Sequence, residues 1–224
     1  MLTIAIDGGP ATGKGTLGEK LSHAYKLAYL DTGALYRTIG YAVLEKGGNP
    51  ENEQDAIDAA RHLPADKLLE IQKNPAIRTE VYGTAASKVS VFPEVRNILF
   101  QFQRSFATNP PALANGAPAE GAVIDGRDIG TKICPDADLK VYLTARPEIR
   151  ATRRFKELQS KGLCVIYEDV LSEIEKRDQR DRERTVAPLR PADDAFILDT
   201  SDLTPEQVFD AVTKELEERV AAKK

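Results

Sequence analysis

Cysteine is scarce in this chain of 224 residues. Cys134 and Cys164 stand far apart, with no histidine near either at ligand spacing. That excludes a disulfide framework and argues against a zinc site. Long apolar runs are missing too, since no stretch approaches the roughly 20 residues that a membrane helix needs. A positive charge excess is equally absent. With 31 Lys and Arg against 35 Asp and Glu the net charge is -4, so the chain as a whole attracts neither nucleic acid nor an anionic membrane, and any basic function must be local. Met1-Leu2-Thr3-Ile4 leads straight into an apolar stretch with no room for a cleavable leader, which makes the cytoplasm the expected location. No internal repeat is present. The composition, 42% hydrophobic and 29% charged, suits one globular domain with a substantial core.

Against these absences stands Ile6-Asp7-Gly8-Gly9-Pro10-Ala11-Thr12-Gly13-Lys14-Gly15-Thr16, where an apolar strand closes in a glycine-rich loop that opens into a helix. Gly8 and Gly13 bracket four residues and Lys14 follows. The main-chain N–H groups can therefore turn inward around a polyphosphate while Lys14, exposed at the loop, reaches the outer phosphates. The helix adds free N–H groups and its positive dipole end. Gly8, Gly9, Pro10, Ala11, Thr12, Gly13, Lys14, Gly15 and Thr16 are thus expected to cradle the phosphates of a nucleotide. Gly15 occupies the place where a Ser or Thr hydroxyl commonly meets a metal, and Thr16 comes one position later. This variant resembles the nucleoside-monophosphate kinase branch of the P-loop proteins.

The remaining pattern alternates strand and helix. Strands are expected at Leu2 to Ile6, Leu27 to Leu30, Ala122 to Ile124, Leu139 to Leu143 and Ala195 to Leu198. The first helix should turn Leu17, Leu21 and Ala24 towards the sheet. A second, capped by Thr32, should carry Leu35, Ile39 and Val43 inward. From Gly47 to Ser105 the chain offers helices only: Asn52 to His62, Ala65 to Lys73, Ile77 to Ser90 and Pro93 to Ser105. Ala107 to Gly121, with three prolines, reads as an exposed loop. Further helices are expected from Pro147 to about Lys161, Asp169 to about Arg184, and Thr204 to Ala221.

Two constellations add chemistry to the loop. On the charged helix Arg177, Arg180, Asp181 and Arg184 share an arc of about 100°. Such a face either makes (i, i+4) ion pairs, as Arg177 with Asp181 or Asp178 with Arg182, or offers guanidinium groups to phosphate from a movable lid. Asp125 ends an apolar strand, where a P-loop enzyme places the carboxylate that holds Mg²⁺, and Thr16 is its expected hydroxyl partner. Arg127 and Asp128 follow Gly126 in a tight turn. They form either a surface ion pair of small value or part of the ligand edge of the sheet. Thr32 and Arg37 stand at another strand end.

On Asp31-Thr32-Gly33-Ala34-Leu35-Tyr36-Arg37, Gly126-Arg127-Asp128, Arg177 to Arg184 with Ala187-Pro188-Leu189, and Asp193 to Thr200, the sequence resembles the bacterial cytidylate kinases. The likeness runs from about Leu2 to about Val212. It implies an α/β three-layer P-loop fold with a five-stranded parallel sheet. The core would lie at about 1–46, 106–161 and 191–224, a helical nucleotide-binding arm at about 47–105, and an arginine-rich lid at about 162–190. It also implies transfer of phosphate from ATP to CMP or dCMP with Mg²⁺, by a monomer that acts on small nucleotides. Lys14, Arg127, Arg177, Arg180 and Arg184 would be catalytic. Thr32, Arg37, Arg127 and Arg177 would hold the CMP phosphate, Ser87, Arg96 and Asp128 would read the cytosine, and Asp181 and Arg184 would bind the sugar side. The chain departs from the family in a short Leu63 to Arg78 segment and a long Ala107 to Gly121 loop.

Overall fold

The computed structural model describes residues 1–63 and 74–222. Its strands are β1 (Leu2–Gly8), β2 (Leu27–Asp31), β3 (Gly121–Gly126), β4 (Leu139–Thr144) and β5 (Phe196–Asp199), joined in one parallel sheet of order β2-β3-β1-β4-β5. The described helices are α1 (Lys14–Tyr25), α2 (Thr32–Glu45), α3 (Glu53–Arg61), α4 (Glu80–Val89), α5 (Pro93–Thr108), α6 (Pro147–Ser160), α7 (Tyr167–Glu183) and α8 (Pro205–Ala222). This is the α/β architecture expected from the alternating pattern.

By contact, the chain forms two compact units, residues 1–30 with 110–224 and residues 31–109. In the first, β1 is central and its Ile4, Ala5 and Ile6 are fully buried, as a strand covered on both faces requires. Asp7 lies in register with Gly126 of β3 and Tyr142 of β4, so the loop after β1 and the turn after β3 leave the sheet at the same level. Leu17 and Leu21 of α1 and Val208, Val212 and Leu216 of α8 pack on Ile4, Ile6, Val123 and Val141. Ala24, expected on the same face, is exposed; Gly18 is buried in its stead, and a Cβ there would meet Tyr29 at 2.5 Å. A second cluster joins Ala151 and Leu158 of α6 to Val170 and Ile174 of α7, with Ala11 of the glycine-rich loop packed against it. Helix α7 starts at Tyr167, ahead of the expected Asp169, where the Tyr167 ring meets Phe155 edge-on.

The second unit is helical, with no strand after Asp31 among its described residues. Helices α2 and α4 approach so closely that a Cβ at Gly40 would stand 2.8 Å from Ala85 Cβ. The helix expected from Ile77 to Ser90 is divided. Pro75–Arg78 forms a 3-10 turn, Thr79 is extended, and α4 begins at Glu80. Ala107, expected in the following loop, is a buried residue of α5. The helix expected at Ala65 to Lys73 and most of the short Leu63 to Arg78 segment lie outside the described residues.

Candidate active site

The loop after β1 has the backbone that its glycines allow. A Cβ at Gly8 would stand 2.3 Å from the Leu143 carbonyl oxygen, and Gly13 has φ 97° at the N-cap of α1. Ala11 also takes a left-handed φ of 57°, a conformation that costs about 1–2 kcal/mol for a residue with a side chain. Its place in the α6–α7 cluster offsets that cost. Thr12 Oγ1 donates to Gly9 O at 2.9 Å. Lys14, expected to be exposed, is 8% exposed, because its Nζ folds over the loop and donates to Gly9 O at 2.8 Å. The ammonium is thereby held at the mouth of the cradle.

Two buried carboxylates end the adjacent strands. Asp125 Oδ2 accepts from the Tyr29 hydroxyl at 2.7 Å, and a Cβ at Gly15 would lie 4.0 Å from the same oxygen. Position 15 is therefore the one that faces Asp125. Thr16, expected to share a metal with Asp125, instead turns to an exposed groove with Glu19, His23 and Phe209, because one residue along a helix is a rotation of about 100°. Asp7 accepts the main-chain N–H of Ile129 with Oδ1 and of Gly130 with Oδ2, each at 2.8 Å. Burial pushes its carboxyl up to about 6; the two N–H groups oppose that shift and nearby Asp128 reinforces it.

Arginines tie the turn after β3 to α7. Arg127 Nε donates to Asp181 Oδ2 at 2.7 Å, with both side chains largely buried, and Arg184 Nη1 lies 3.9 Å from Asp181 Oδ1. Burial opposes the charge on each partner, yet the pairing prevails. It holds the Arg127 guanidinium above its usual range and the Asp181 carboxyl below its own. Arg184 Nε also donates to Ala187 O, and Leu189 N–H to Asp181 O, which folds the end of α7 back on itself. Arg177 adds its charge to the field at Asp181. Arg180 does not join this group, since its Nε bonds to Lys176 O on its own helix. Neither the Arg127–Asp128 surface pair nor the Asp178–Arg182 helix pair is what these side chains make. Arg127 reaches α7, and Asp178 forms a buried bidentate pair with Arg150 at 2.9 and 2.5 Å. That pair sits against the loop, for a Cβ at Gly9 would be 3.2 Å from both Arg150 Nη1 and Asp178 Oδ1.

In the second unit the cap of α2 is Asp31, not Thr32. Its carboxylate, one residue earlier and on extended backbone, accepts the Ala34 N–H at 3.0 Å, and Thr32 is the first helical residue. Arg37 donates to the carbonyls of Ile77 and Thr79 across the break before α4, and glycine at position 83 leaves room for the guanidinium. Arg96 is buried, donates to Ser90 O and lies over the Tyr36 ring at 5.5 Å. Ser87 Oγ is buried with no hydrogen-bond partner among the described residues. A buried hydroxyl in that condition costs stability and is a ready partner for a polar ligand.

No site role was expected of Asp7, Tyr29, Arg150 or Asp178. For Asp7 a signal existed: like Asp125, it is an acidic residue that closes an apolar run at a strand end. Arg150 carried none, as it is one arginine among several on a charged helix.

A phosphate cradle at the end of a central parallel strand, a carboxylate at the end of the neighbouring strand and a guanidinium cluster on an adjoining helix together define a P-loop phosphotransferase. The sequence matches the family described as cytidylate kinase over residues 4–218. Among curated relatives it is 49% identical over 214 residues to the cytidylate kinase of Rhodospirillum rubrum, covering 94% of each chain. It is 46% identical over 202 residues to that of Bradyrhizobium diazoefficiens, covering 90% of this chain and 89% of the relative. The chain belongs to the cytidylate kinase family, and it is a kinase. A crystal structure of an uncharacterized protein from Eubacterium ventriosum shares the fold, with a TM-score of 0.53 at 13% identity over 97% of this chain and 99% of that one.

Proposed function

We propose that the enzyme transfers the terminal phosphate of ATP to CMP and dCMP, giving ADP and CDP or dCDP. The observation that carries this is the family match over nearly the whole chain, joined to an intact phosphate loop. A CMP phosphate oxygen attacks the γ-phosphorus in line, the bond from that phosphorus to the bridging β-oxygen breaks, and ADP leaves with the electron pair. The loop from Gly8 to Gly15 would hold the ATP phosphates, with Lys14 exchanging Gly9 O for phosphate oxygen. Arg127, Arg177 and Arg184 would neutralise charge that grows during transfer. Thr32, Arg37, Arg127 and Arg177 would bind the CMP phosphate, and Asp181 and Arg184 the sugar. Ser87, Arg96 and Asp128 would read the base, with the Asp128 carboxylate accepting from the cytosine amino group and repelling the uracil carbonyl.

Mg²⁺ fits the same site. The buried Asp125 oxygen stands near the start of α1, a place suited to a hydrated ion that takes its other ligands from substrate phosphates. When bound, Mg²⁺ would supply charge neutralisation on the ATP phosphates, with Asp125 holding it or its waters.

Among the described residues no helix is long and apolar enough to cross a membrane. In this reading the chain works as a cytoplasmic monomer on small nucleotides, through one kinase domain whose arm and lid take the boundaries given by the resemblance. A coupled assay of ADP release with ATP, Mg²⁺ and CMP, dCMP, UMP or AMP tests it. CMP and dCMP are expected to be the best acceptors; turnover with AMP alone, or ATP hydrolysis indifferent to acceptor, would overturn it.

A further inference from the structure

We infer that Asp7 is a positioning residue for base selection: its carboxylate fixes the turn that carries Asp128, and so sets where Asp128 meets the nucleobase. The inference rests on the reading of Asp128 given above. In sequence Asp7 looks like the last strand residue before the phosphate loop, yet both its oxygens are engaged 122 and 123 residues away, on Ile129 N and Gly130 N. Those N–H groups open the single π-helical turn Ile129–Ile133 and would otherwise lack acceptors. On the other side of the same turn the Asp128 carbonyl accepts from Lys132 N at 2.9 Å and Ile133 N at 3.2 Å. Asp128 is thus the residue at which the two sets of bonds meet.

Two charge-assisted bonds to one carboxylate fix orientation as well as distance. The fit is close: a Cβ at Gly130 would be 3.4 Å from Asp7 Oδ2 and 3.3 Å from the Lys140 side chain. An amide could not replace the acid, since Asn offers one acceptor oxygen and would aim its NH₂ at the other N–H. The acid is also held at a cost, because burial raises its carboxyl to about 6. Such an expense suits a group that places the turn rather than one that merely fills space.

The test compares wild type, Asp7→Asn and Asp128→Ala by kcat and KM for CMP, UMP and ATP. Asp7→Asn is expected to raise KM for CMP about tenfold, to narrow the CMP to UMP ratio of kcat/KM about fivefold, and to leave KM for ATP within about twofold. A general disturbance of the fold or of the phosphate loop would raise KM for ATP as well. Should Asp7→Asn be too unstable to purify, Asp7→Ser, which keeps an oxygen acceptor, is read by the same three constants. If Asp128→Ala narrows the ratio and the Asp7 variant does not, or if KM for ATP rises in parallel with KM for CMP, the positioning role is wrong and the Asp128 reading stands. If Asp128→Ala leaves the ratio unchanged, the Asp128 reading fails and this inference fails with it.

Discussion

Four arginines, two from each compact unit, have different partners. In the first, Arg127 pairs with Asp181 and Arg150 with Asp178, both as largely buried ion pairs. In the second, Arg37 donates to the carbonyls of Ile77 and Thr79, and Arg96 to that of Ser90 while lying over Tyr36. A carboxylate sets a guanidinium in place by spending its charge, so removing either partner leaves the other buried and uncompensated. A carbonyl orients the guanidinium through a neutral dipole, a weaker bond than that to a carboxylate. The ion pairs therefore tie α7 to α6 and to the turn after β3, and the carbonyl contacts of Arg37 tie α2 to the break before α4.

The largest expected effect lies outside both arrangements. Lys14→Ala should lower kcat about a thousandfold, since in the proposed mechanism Lys14 would neutralise charge during transfer, while thermal unfolding stays close to wild type. A near-normal rate with an unaltered melting curve would remove the loop from the chemistry. Next comes Arg150→Met, which leaves Asp178 as an unpaired buried charge. It should cost about 3–5 kcal/mol of stability in urea unfolding. A loss no greater than that of a surface arginine would show that the buried pair is not what fastens α7 to α6.

The pH dependence of stability probes the same unit. Asp7 has its carboxyl raised from the usual 3.8 to about 6, so between those values the folded chain holds a proton that the unfolded chain has released. Stability must then fall as pH rises through that window, by about 3 kcal/mol from this group alone, and the deficit persists above it. Asp7→Asn has no such window. Stability of wild type relative to the variant should decline from pH 4 to pH 7, and parallel curves would contradict the shift. The smallest effect is expected in the second unit, where Arg37→Ala should raise KM for CMP about tenfold yet change stability by only about 1 kcal/mol. A collapse of stability with KM intact would erase the contrast between the two units.

What was legible in the sequence is what local chemistry dictates. Gly8 and Gly13 announce the loop because few other residues could take its backbone, and apolar runs announce the strands. Asp125 and the Arg127-Asp128 turn lie at the end of β3, level with the loop after β1, as the apolar run before them implies. Partners were not legible. Asp178 looked like a surface residue that would pair with Arg182 one turn on, but it faces inward and meets Arg150, 28 residues earlier. Thr32 and Asp31 were both competent caps, and backbone geometry chose Asp31. Thr16 has the right hydroxyl on the wrong side of α1, which only the rotation about the helix reveals.

The central claim is that the turn after β3 and helix α7 act on the substrate as one charged unit through Arg127 and Asp181. A double-mutant cycle on kcat/KM for CMP tests it most directly, with Arg127→Ala, Asp181→Ala and the pair together. The account predicts that the double variant loses no more than the worse single variant, because either change already dismantles the unit. If the two losses multiply, Arg127 and Asp181 act independently and the ion pair at 2.7 Å is a bystander in transfer.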